Sequence, residues 1–386
     1  MTPERRPAVP ARTEAPVQRR RRARRRTAGL AGVALLAAGT ISAAGAGPAS
    51  AVREGDATSR ACGAAGWVEG YSDALDKRVV DGVEITELSA LAYDARRRAY
   101  ASVVDDGVPR LWFFDTSKRL RVVGSLTLRM PDGTPYGPDT FDGEGLAVLP
   151  DGDYLVSSET EPAIRRFDRS SGREKASLDV PQRFRVAPAG EAKRNATVEG
   201  LAVSPDGRYV YAAMEGPLSG DAPTSGEATT RRILVYRADR DGRYRLLKQI
   251  GYMVDPASRI SEVAAYGASG LLVLESVWRP GVGNTITVYG VPDTATASDV
   301  SAVANLAVSA PGTVTGKSLV ADVTACPSLG ATNPGVQTNP LLDNYEGMYV
   351  APSARPGRVA TLRLISDDNG NATQVTRLLT LSVRLP

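Results

Sequence analysis

The sequence predicts an all-β chain, a single-domain β-propeller of about five or six four-stranded blades, and three observations lead to this fold. An acidic hairpin recurs along the chain, further strand-like runs lie between its copies, and no stretch longer than ten residues shows a convincing helical apolar period. The copies begin DGEGLAV at Asp142, VEGLAVS at Val198, SEVAAYG at Ser261 and YEGMYVA at Tyr345, with a weaker copy, SALAYDA, at Ser89.

Each hairpin is predicted to place a carboxylate at both of its free ends. If Glu199 opens a strand and the PDG turn at 205–207 reverses it, the returning strand brings Glu215 level with Glu199. The same reasoning gives the other pairs, Glu144 with Glu159, Glu262 with Glu275, and Glu346 with Asp367 or Asp368. We therefore expect the carboxylates to gather at one end of the repeats.

The runs between the hairpins supply the remaining strands of each unit. They are RLWFFDT at Arg110, RVVGSLTL at Arg121, AIRRFDR at Ala163, RRILVYRAD at Arg231, RYRLLKQIGYMV at Arg243 and NTITVYGV at Asn284. Units that start near residues 89, 144, 199, 262 and 346 lie 55, 55, 63 and 84 residues apart, an interval typical of propeller blades. A sixth unit could lie between Val291 and Leu342, and a β-sandwich or an extended solenoid is the alternative fold.

The two ends of the chain are predicted to close the ring. The run QVTRLLTLSVRLP after Asp368 supplies one or two strands, and WVEGYSDALD from Trp67 supplies another. The strand at Trp67 could complete the last blade and so remove an exposed sheet edge.

Residues 1–51 are predicted to be a secretory signal peptide, and residues 52–386 the propeller domain. The segment has the Arg run RRRRARRR at 19–26, then an apolar, small-residue stretch and Ala49-Ser50-Ala51 as a cleavage signal. A membrane anchor is the alternative, and export by the Sec or the twin-arginine route stays open. Without this segment the chain has 37 basic and 41 acidic residues, a net charge of −4. No basic patch with interleaved aromatic residues is present, so we expect a secreted, extracellular protein that binds neither nucleic acid nor membrane.

The residue types that are missing exclude much catalytic chemistry. The chain has no histidine, which excludes Ser-His-Asp triads, Cys-His pairs and imidazole-bound zinc. None of the lysines has Ser or Thr three residues before it, as Ser-Lys catalysis of the S-x-x-K kind would need. The two cysteines, Cys62 and Cys326, are predicted to form a disulfide because the protein is expected to be exported, with two free thiols as the alternative.

A ring of carboxylates at one mouth of the propeller predicts a metal site. Neighbouring carboxylates raise one another's pKa unless a cation lies among them, and oxygen ligands without histidine or thiolate select Ca²⁺ or Mg²⁺. We expect Ca²⁺, in a number that stays open. In the alternative, the acids hydrogen-bond to backbone amides of the neighbouring blade. The predicted metal ligands are Glu144, Glu159, Glu199, Glu262, Glu275, Glu346 and Asp367.

Several ordered motifs resemble one known family. They are ALAYD at Ala90, DGEGLAV at Asp142 with LVSSE at Leu155, NATVEGLAVSPDG at Asn195 with AMEGPLSGD at Ala213, LLVLES at Leu271, NYEGMYV at Asn344 and SDDNGNATQVT at Ser366. Together they resemble the phytase-like family, described as having esterase-like activity of the phytase type. The resemblance spans about Glu87 to Leu381.

The resemblance implies a secreted propeller that uses calcium to act on phosphate or other esters, by likeness to β-propeller phytases. A metal-activated water would attack the ester, and arginines would stabilise the developing charge. The predicted catalytic carboxylates are Glu199, Glu215, Glu346 and Asp368, and the predicted substrate-binding residues are Arg165, Arg166, Arg231 and Arg232. The alternative for these arginines is exposure on a strand. The chain has no dense phytase-type cluster of Asp and Lys.

Two functions from different classes follow. The first is a calcium-dependent hydrolase of phosphoric or related esters that acts on a small-molecule substrate as a monomer. The second is a non-catalytic extracellular propeller with structural calcium that binds a carbohydrate, a peptide or a partner in the cell envelope.

Overall fold

The computed structural model describes residues 60–386 apart from Ala64 and Pro311. These residues form five four-stranded antiparallel sheets and one two-stranded ribbon. Helix is limited to short 3₁₀ turns such as Gln182–Phe184 and Ser219–Asp221. The predicted all-β propeller is confirmed, and it has five blades. The predicted signal peptide, residues 1–51, lies outside the described residues.

The first four blades each use four consecutive strands. Blade 1 is formed by β4 (Leu88–Asp94), β5 (Ala99–Val104), β6 (Arg110–Asp115) and β7 (Arg121–Thr127). Blade 2 is formed by β8 (Gly143–Val148), β9 (Tyr154–Ser158), β10 (Ala163–Phe167) and β11 (Glu174–Leu178). Blade 3 is formed by β12 (Val198–Val203), β13 (Tyr209–Met214), β14 (Thr230–Ala238) and β15 (Tyr244–Met253). Blade 4 is formed by β16 (Arg259–Tyr266), β17 (Gly270–Arg279), β18 (Gly283–Val291) and β19 (Ser318–Asp322).

Blade 5 joins the two ends of the chain, as the sequence predicts. Its strands are β20 (Asn344–Val350), β21 (Val359–Asp367), β22 (Leu378–Arg384) and the N-terminal strand β1 (Gly66–Ser72). The strands β2 (Val79–Val80) and β3 (Val83–Glu84) form the separate ribbon. Cys62 and Cys326 form a disulfide, which ties the residues before β1 to the turn after β19. The ring is therefore closed twice, by hydrogen bonds within blade 5 and by a covalent link to blade 4.

The core is divided among the five interfaces between neighbouring blades. Each of five clusters of buried apolar side chains draws its members from two adjacent blades; for example, Leu155 and Ile164 of blade 2 pack with Val210 and Leu234 of blade 3. The second strands of blades 1 and 2, β5 and β9, are buried along their whole length. Strands buried on both faces need near-continuous apolar sequence, which explains the apolar runs that follow each turn.

The segment between Val291 and β19 forms no sixth blade within the described residues. Residues 292–317 instead run along the outer strand of blade 3, where Val314 bridges Gly251. Arg232 anchors this segment through the Val300 carbonyl at 2.9 Å. The insertion thus covers an edge strand that would otherwise expose unpaired backbone groups.

No helix among the described residues, 60–386 without Ala64 and Pro311, is long and apolar enough to cross a membrane. The disulfide is compatible with a secreted protein, because disulfides persist in oxidising compartments.

Every innermost strand contains a bulge at its acidic end. The strand pairing shifts register across Glu199 in β12 and across Glu346 in β20, and the corresponding shifts in blades 1, 2 and 4 fall at the same place in the repeat. A bulge leaves a residue out of the ladder and changes the direction in which its side chain points. It thus directs the side chains of the repeat into the mouth of the channel.

Glycine after the bulged residue lets neighbouring blades approach at the axis. A Cβ added to Gly347 would lie 2.4 Å from the backbone carbon of Ala90, and one added to Gly200 would lie 2.8 Å from the amide nitrogen of Val263. These contacts are with backbone, which cannot move aside as a side chain can. Glycine at these positions therefore fixes how closely the innermost strands pack.

We predict that Gly347→Ala lowers the free energy of unfolding by about 1–3 kcal/mol, because its methyl group would overlap the Ala90 backbone. Gly124→Ala is the matched control, since a Cβ at this strand glycine meets nothing within 4 Å. Thermal unfolding followed by circular dichroism measures both variants. Equal melting temperatures for the two would contradict the packing constraint.

Candidate functional site

The acidic mouth is built from three equivalent positions in each blade. The first two lie two residues apart, at or directly before the start of the innermost strand, and residues at this spacing in extended chain project from the same face. The outer of these positions holds Glu87, Asp142, Thr197, Arg259 and Asn344 in blades 1 to 5. The inner position holds Ser89, Glu144, Glu199, Ser261 and Glu346. The third position, opposite them at the end of the second strand, holds Asp105, Glu159, Glu215, Ser276 and Asp367.

Blade 4 departs from this pattern by one residue at each end of its hairpin. Arg259 pairs with Ser276, and the hydroxyls of Ser261 and Ser276 lie 2.6 Å apart. Serine thus stands where blades 2 and 3 have glutamate. Glu262 and Glu275 are each displaced by one residue, and such a shift turns a side chain to the other face of its strand.

Glu262 accordingly lies away from the other mouth carboxylates and close to backbone amides. Its Oε1 accepts hydrogen bonds from the Leu201 and Val263 amides, both at 2.9 Å, and its side chain is buried. Burial raises the pKa of Glu262 well above its usual value, although these amides act in the opposite direction. This is the amide-bonded arrangement that was the alternative for the acids at the strand starts.

Glu275 faces the interface between blades 3 and 4. Its Oε1 lies 2.6 Å from Lys317 Nζ and 2.6 Å from the Tyr252 hydroxyl, and its Oε2 accepts from the Asp255 amide at 2.8 Å. Lys317 also lies 3.9 Å from the centre of the Tyr289 ring. The structure therefore gives Glu275 a local cation of its own, outside the set of mouth carboxylates.

The hydroxyl of Ser89 bridges two carboxylates at the centre of the mouth. Ser89 Oγ lies 2.9 Å from Glu144 Oε2 and 3.0 Å from Glu346 Oε2. A hydroxyl has one hydrogen and can donate to only one of them. The second contact therefore requires a proton on a carboxylate or a cation that both carboxylates share.

Within the described part of the chain, three groups of carboxylates bring their oxygens within 4.8 Å of one another. Two of the groups share Asp105, and two share Glu144, so the three form a continuous series. The groups are Glu87 with Asp105 and Asp367, Asp105 with Glu144 and Glu346, and Asp142 with Glu144 and Glu159. Carboxylate oxygens at this spacing fit a hard divalent cation, so the donor set matches the metal expected from the sequence.

Arg259 is a cation within the mouth itself. Its Nη1 lies 2.7 Å from Glu215 and 3.5 Å from Glu199, and its Nη2 lies 2.7 Å from Glu346. Asn344 Oδ1 accepts a further hydrogen bond from Nη2 at 2.8 Å, and Ser276 Oγ one from Nε at 3.0 Å. These partners belong to blades 3, 4 and 5.

Among the described residues, the mouth carboxylates of blades 1 and 2 and Asp367 have no basic partner. Burial, followed by the charges of nearby acids, raises the pKa of Asp142 to about 6. Burial, with the charge of Glu215 next, raises the pKa of Glu159 to about 7, although the Thr197 amide acts against it. Desolvation likewise raises the pKa of Glu87, Asp105, Glu144 and Asp367. The raised pKa values favour the protonated form of the acids in this half of the mouth, and a cation would stabilise their charged form.

The pair Asp367 and Asp368 divides between two roles. Asp367 belongs to the first carboxylate group and accepts from the Asn369 amide at 2.8 Å. Asp368 pairs with Lys77 and accepts hydrogen bonds from the Thr86 hydroxyl and the Glu87 amide. Burial acts to raise the pKa of Asp368, but the bonds from Lys77 and Thr86 outweigh it and lower that pKa.

Three of the four arginines predicted to bind substrate have all-protein partners. Arg166 pairs with Asp151 and Asp153 at the turn end of blade 2, away from the acids. Arg231 donates to four backbone carbonyls, including those of Glu215 and Ser258.

Arg232 is buried and bonds Asp221 through two nitrogens, at 2.6 and 2.8 Å. Arg165 also faces an acid, Glu174, at 3.8 Å from its Nε, but its Nη1 has no hydrogen-bond partner among the described residues. Its guanidinium packs 5.3 Å from the Phe141 ring, which directly precedes Asp142 in the mouth.

The opposite end of the channel has a different character. All five innermost strands line a cavity of about 410 Å³ there, with mostly apolar walls. The acidic mouth holds the groups that can bind a cation, so it is the candidate site.

The family comparison agrees with this geometry. The family model Phytase-like, described as esterase-like activity of phytase, matches residues 83–370. The chain belongs to the phytase-like family. No curated protein matches the chain. Membership in the phytase-like family together with the propeller fold supports a function of the hydrolase type, with a small molecule as substrate.

The phytase-like match includes all three positions of the mouth in every blade, from Glu87 to Asp367. Five residues of the mouth were not predicted from the sequence as site residues, namely Glu87, Asp105, Asp142, Ser89 and Arg259. Asp105 could have been found from the repeat, since it ends the second strand of its hairpin as Glu159 does. The outer position could have been found from the two-residue period of the innermost strand.

Calcium-free protein is predicted to lose stability as the pH rises from about 4.5 to about 7. The pKa of Glu159 is raised from 4.5 to about 7, so its stabilising contribution is complete below 4.5 and disappears as the pH passes 7. Glu159→Gln should reduce this fall in melting temperature by several degrees. The exposed neighbour Glu161 provides the control Glu161→Gln. If the melting temperature measured in chelator instead rises with pH over this range, the raised pKa of Glu159 is contradicted.

Proposed function

We propose that this phytase-like protein is a secreted, calcium-dependent hydrolase of phosphoric or related esters, with its site at the acidic mouth. The single observation that supports it best is the continuous series of carboxylates from Glu87 to Glu159. Within this series only Glu346 has a basic partner, Arg259, and burial raises the pKa of Glu87, Asp105, Asp142, Glu144 and Glu159. A cation bound at such a site would offset the repulsion among its carboxylates. Family membership supports the choice of ester hydrolysis.

Calcium fits the donor set better than magnesium does. The oxygens come from flexible side chains in three blades, and calcium accepts six to eight oxygen ligands in variable geometry, whereas magnesium requires a near-regular octahedron. The residues that would hold it are Glu87, Asp105, Asp142, Glu144, Glu159, Glu346 and Asp367. When bound, the cation would polarise the ester and lower the pKa of a bound water.

The protein's own residues have separate tasks in this proposal. Ser89 would hold Glu144 and Glu346 in place, since its hydroxyl contacts both. Glu199 and Glu215 contact Arg259 and thus help to position the ring.

Arg165 is the one predicted substrate ligand that this proposal retains. It has an unpaired Nη1 beside Phe141, whereas the partners of Arg166, Arg231 and Arg232 are supplied by the protein. An anionic ester would reach this donor only if the buried Phe141 ring moved aside.

The experiment measures calcium dependence and hydrolysis together. Wild-type protein is assayed on a panel of phosphomonoesters, including inositol phosphates, and on a panel of carboxylic esters, in calcium and in chelator. Glu144→Gln is expected to lower kcat/KM by about 100-fold, because it removes a residue shared by two carboxylate groups. Glu161→Gln, an exposed acid in the same loop as Glu159, should leave it unchanged.

The two functional classes separate in this assay. Calcium that raises the melting temperature without turnover on either panel would reject the hydrolase and favour the binding propeller with structural calcium. A melting temperature indifferent to calcium would reject both. Turnover that persists in chelator would reject calcium dependence.

A further inference from the structure

Four of the five N–H groups of the Arg259 guanidinium donate hydrogen bonds within the protein. Their acceptors are Ser276, Glu215, Asn344 and Glu346, and Nη1 also lies 3.5 Å from Glu199. The Arg259 side chain is 31% exposed, so it lies at the mouth and not below it. Its charge therefore acts on the carboxylates of the mouth.

The oxygen atoms around Arg259 are of the kind that surrounds a hard cation. Three carboxylates, one amide oxygen and one hydroxyl meet at the guanidinium, all within 3.5 Å. Carboxylate, amide and hydroxyl oxygens are also ligands of calcium. The guanidinium thus occupies a place that would otherwise collect negative charge from blades 3 and 5.

Glu346 marks the boundary between the two halves of the mouth. Its Oε1 lies 2.7 Å from Arg259, while its Oε2 lies 3.0 Å from Ser89 on the side of blade 1. None of the other partners of Arg259 belongs to the three carboxylate groups found among the described residues. The half next to Arg259 is balanced by protein, and the half beyond Glu346 is not.

We propose that Arg259 is a positioning residue, a fixed internal cation that fills the half of the mouth formed by blades 3, 4 and 5. It thereby confines a bound divalent cation to the half formed by blades 5, 1 and 2. A divalent ion beside the guanidinium would be repelled by it and would have to compete for the same oxygens. The inference rests on the cation site of the proposed function, but it concerns where cations bind and not what is hydrolysed.

The first test counts calcium ions bound per chain by isothermal titration calorimetry. Arg259→Gln removes the fixed charge and leaves the surrounding oxygens, so it should bind one calcium more than wild type. Arg259→Lys keeps the charge and should restore the wild-type number. Arg166→Gln is the matched control, because Arg166 also lies between two carboxylates but at the far end of blade 2.

Each outcome of this test decides the inference. A folded Arg259→Gln protein with the wild-type number of calcium ions overturns it. If Arg259→Gln folds only in calcium, the ion replaces the guanidinium, and the inference is supported. If it folds in neither condition, a cation cannot take the place of Arg259, and the inference fails.

The second test uses calcium affinity in proteins that keep Arg259. Asp105→Asn removes a ligand from the uncompensated half and should weaken calcium binding by at least about tenfold. Glu215→Gln removes a carboxylate bound to Arg259 and should weaken it by only about twofold, through a more distant charge. Asp105→Asn relieves repulsion among acids, so it is expected to fold. Equal losses of calcium affinity in the two variants would overturn the claim that calcium is confined to blades 5, 1 and 2.

These readouts are independent of turnover. Calcium binding without hydrolysis rejects the proposed hydrolase and leaves the inference standing. Hydrolysis in calcium supports the proposed hydrolase, and the absence of an additional bound ion in Arg259→Gln then overturns the inference alone.

Discussion

The close approach of the five innermost strands is the constraint on which the rest of this structure depends. Gly145, Gly200 and Gly347 lie where a Cβ would meet backbone of the neighbouring blade at 2.8 Å or less. With the strands so near the axis, the bulge before each glycine directs neighbouring side chains at one another. Acids that would be far apart on an ordinary sheet surface are forced within one ion's reach, and the apolar clusters between the blades hold them there against their repulsion.

The repulsion among the acids of the mouth is reduced in two ways. In blade 4 the repeat replaces two acids by Ser261 and Ser276 and adds Arg259, so that charge balance is built into the fold. In blades 1 and 2 the acids stay, and balance must come from protons or from a cation taken up from solution. An arginine provides a fixed positive charge, because it is part of the chain and cannot exchange with ions in solution. The asymmetry between the blades thus separates a structural part of the ring from a part that can exchange its counter-ions, which is the division a binding site needs.

The sequence alone predicted most of the fold, because each blade repeats the same alternation of turn and apolar strand and because these strands are buried on both faces. Even the closing strand at Trp67 was found, since a propeller must cover its last edge. The site was predicted less well, for a reason visible at Glu262 and Glu275. Matching acid to acid gave a separation of 13 residues in that hairpin, whereas Ser261 and Ser276 are separated by 15, as are Glu144 and Glu159. The register of the apolar residues in the strand, and not the location of the acids, defines the equivalent positions of the repeat. A shift of one residue along the strand turns a carboxylate towards a different partner. The role of Arg259 could not be seen either, because its partners come from blades distant in sequence.

The way in which the ring closes sets an order on folding. The strand β1 precedes all the other strands of the propeller, yet its hydrogen-bonding partner β22 follows all of them, and the disulfide joins cysteines that are 264 residues apart. Until β22 has been synthesised, β1 is an unpaired edge strand with apolar side chains, able to pair with the wrong neighbour or with another chain. Contacts of such long range form slowly. The hazard in making this propeller therefore lies at its seam, and a chain that stops short of Leu378 would leave that seam open however well its first four blades had folded.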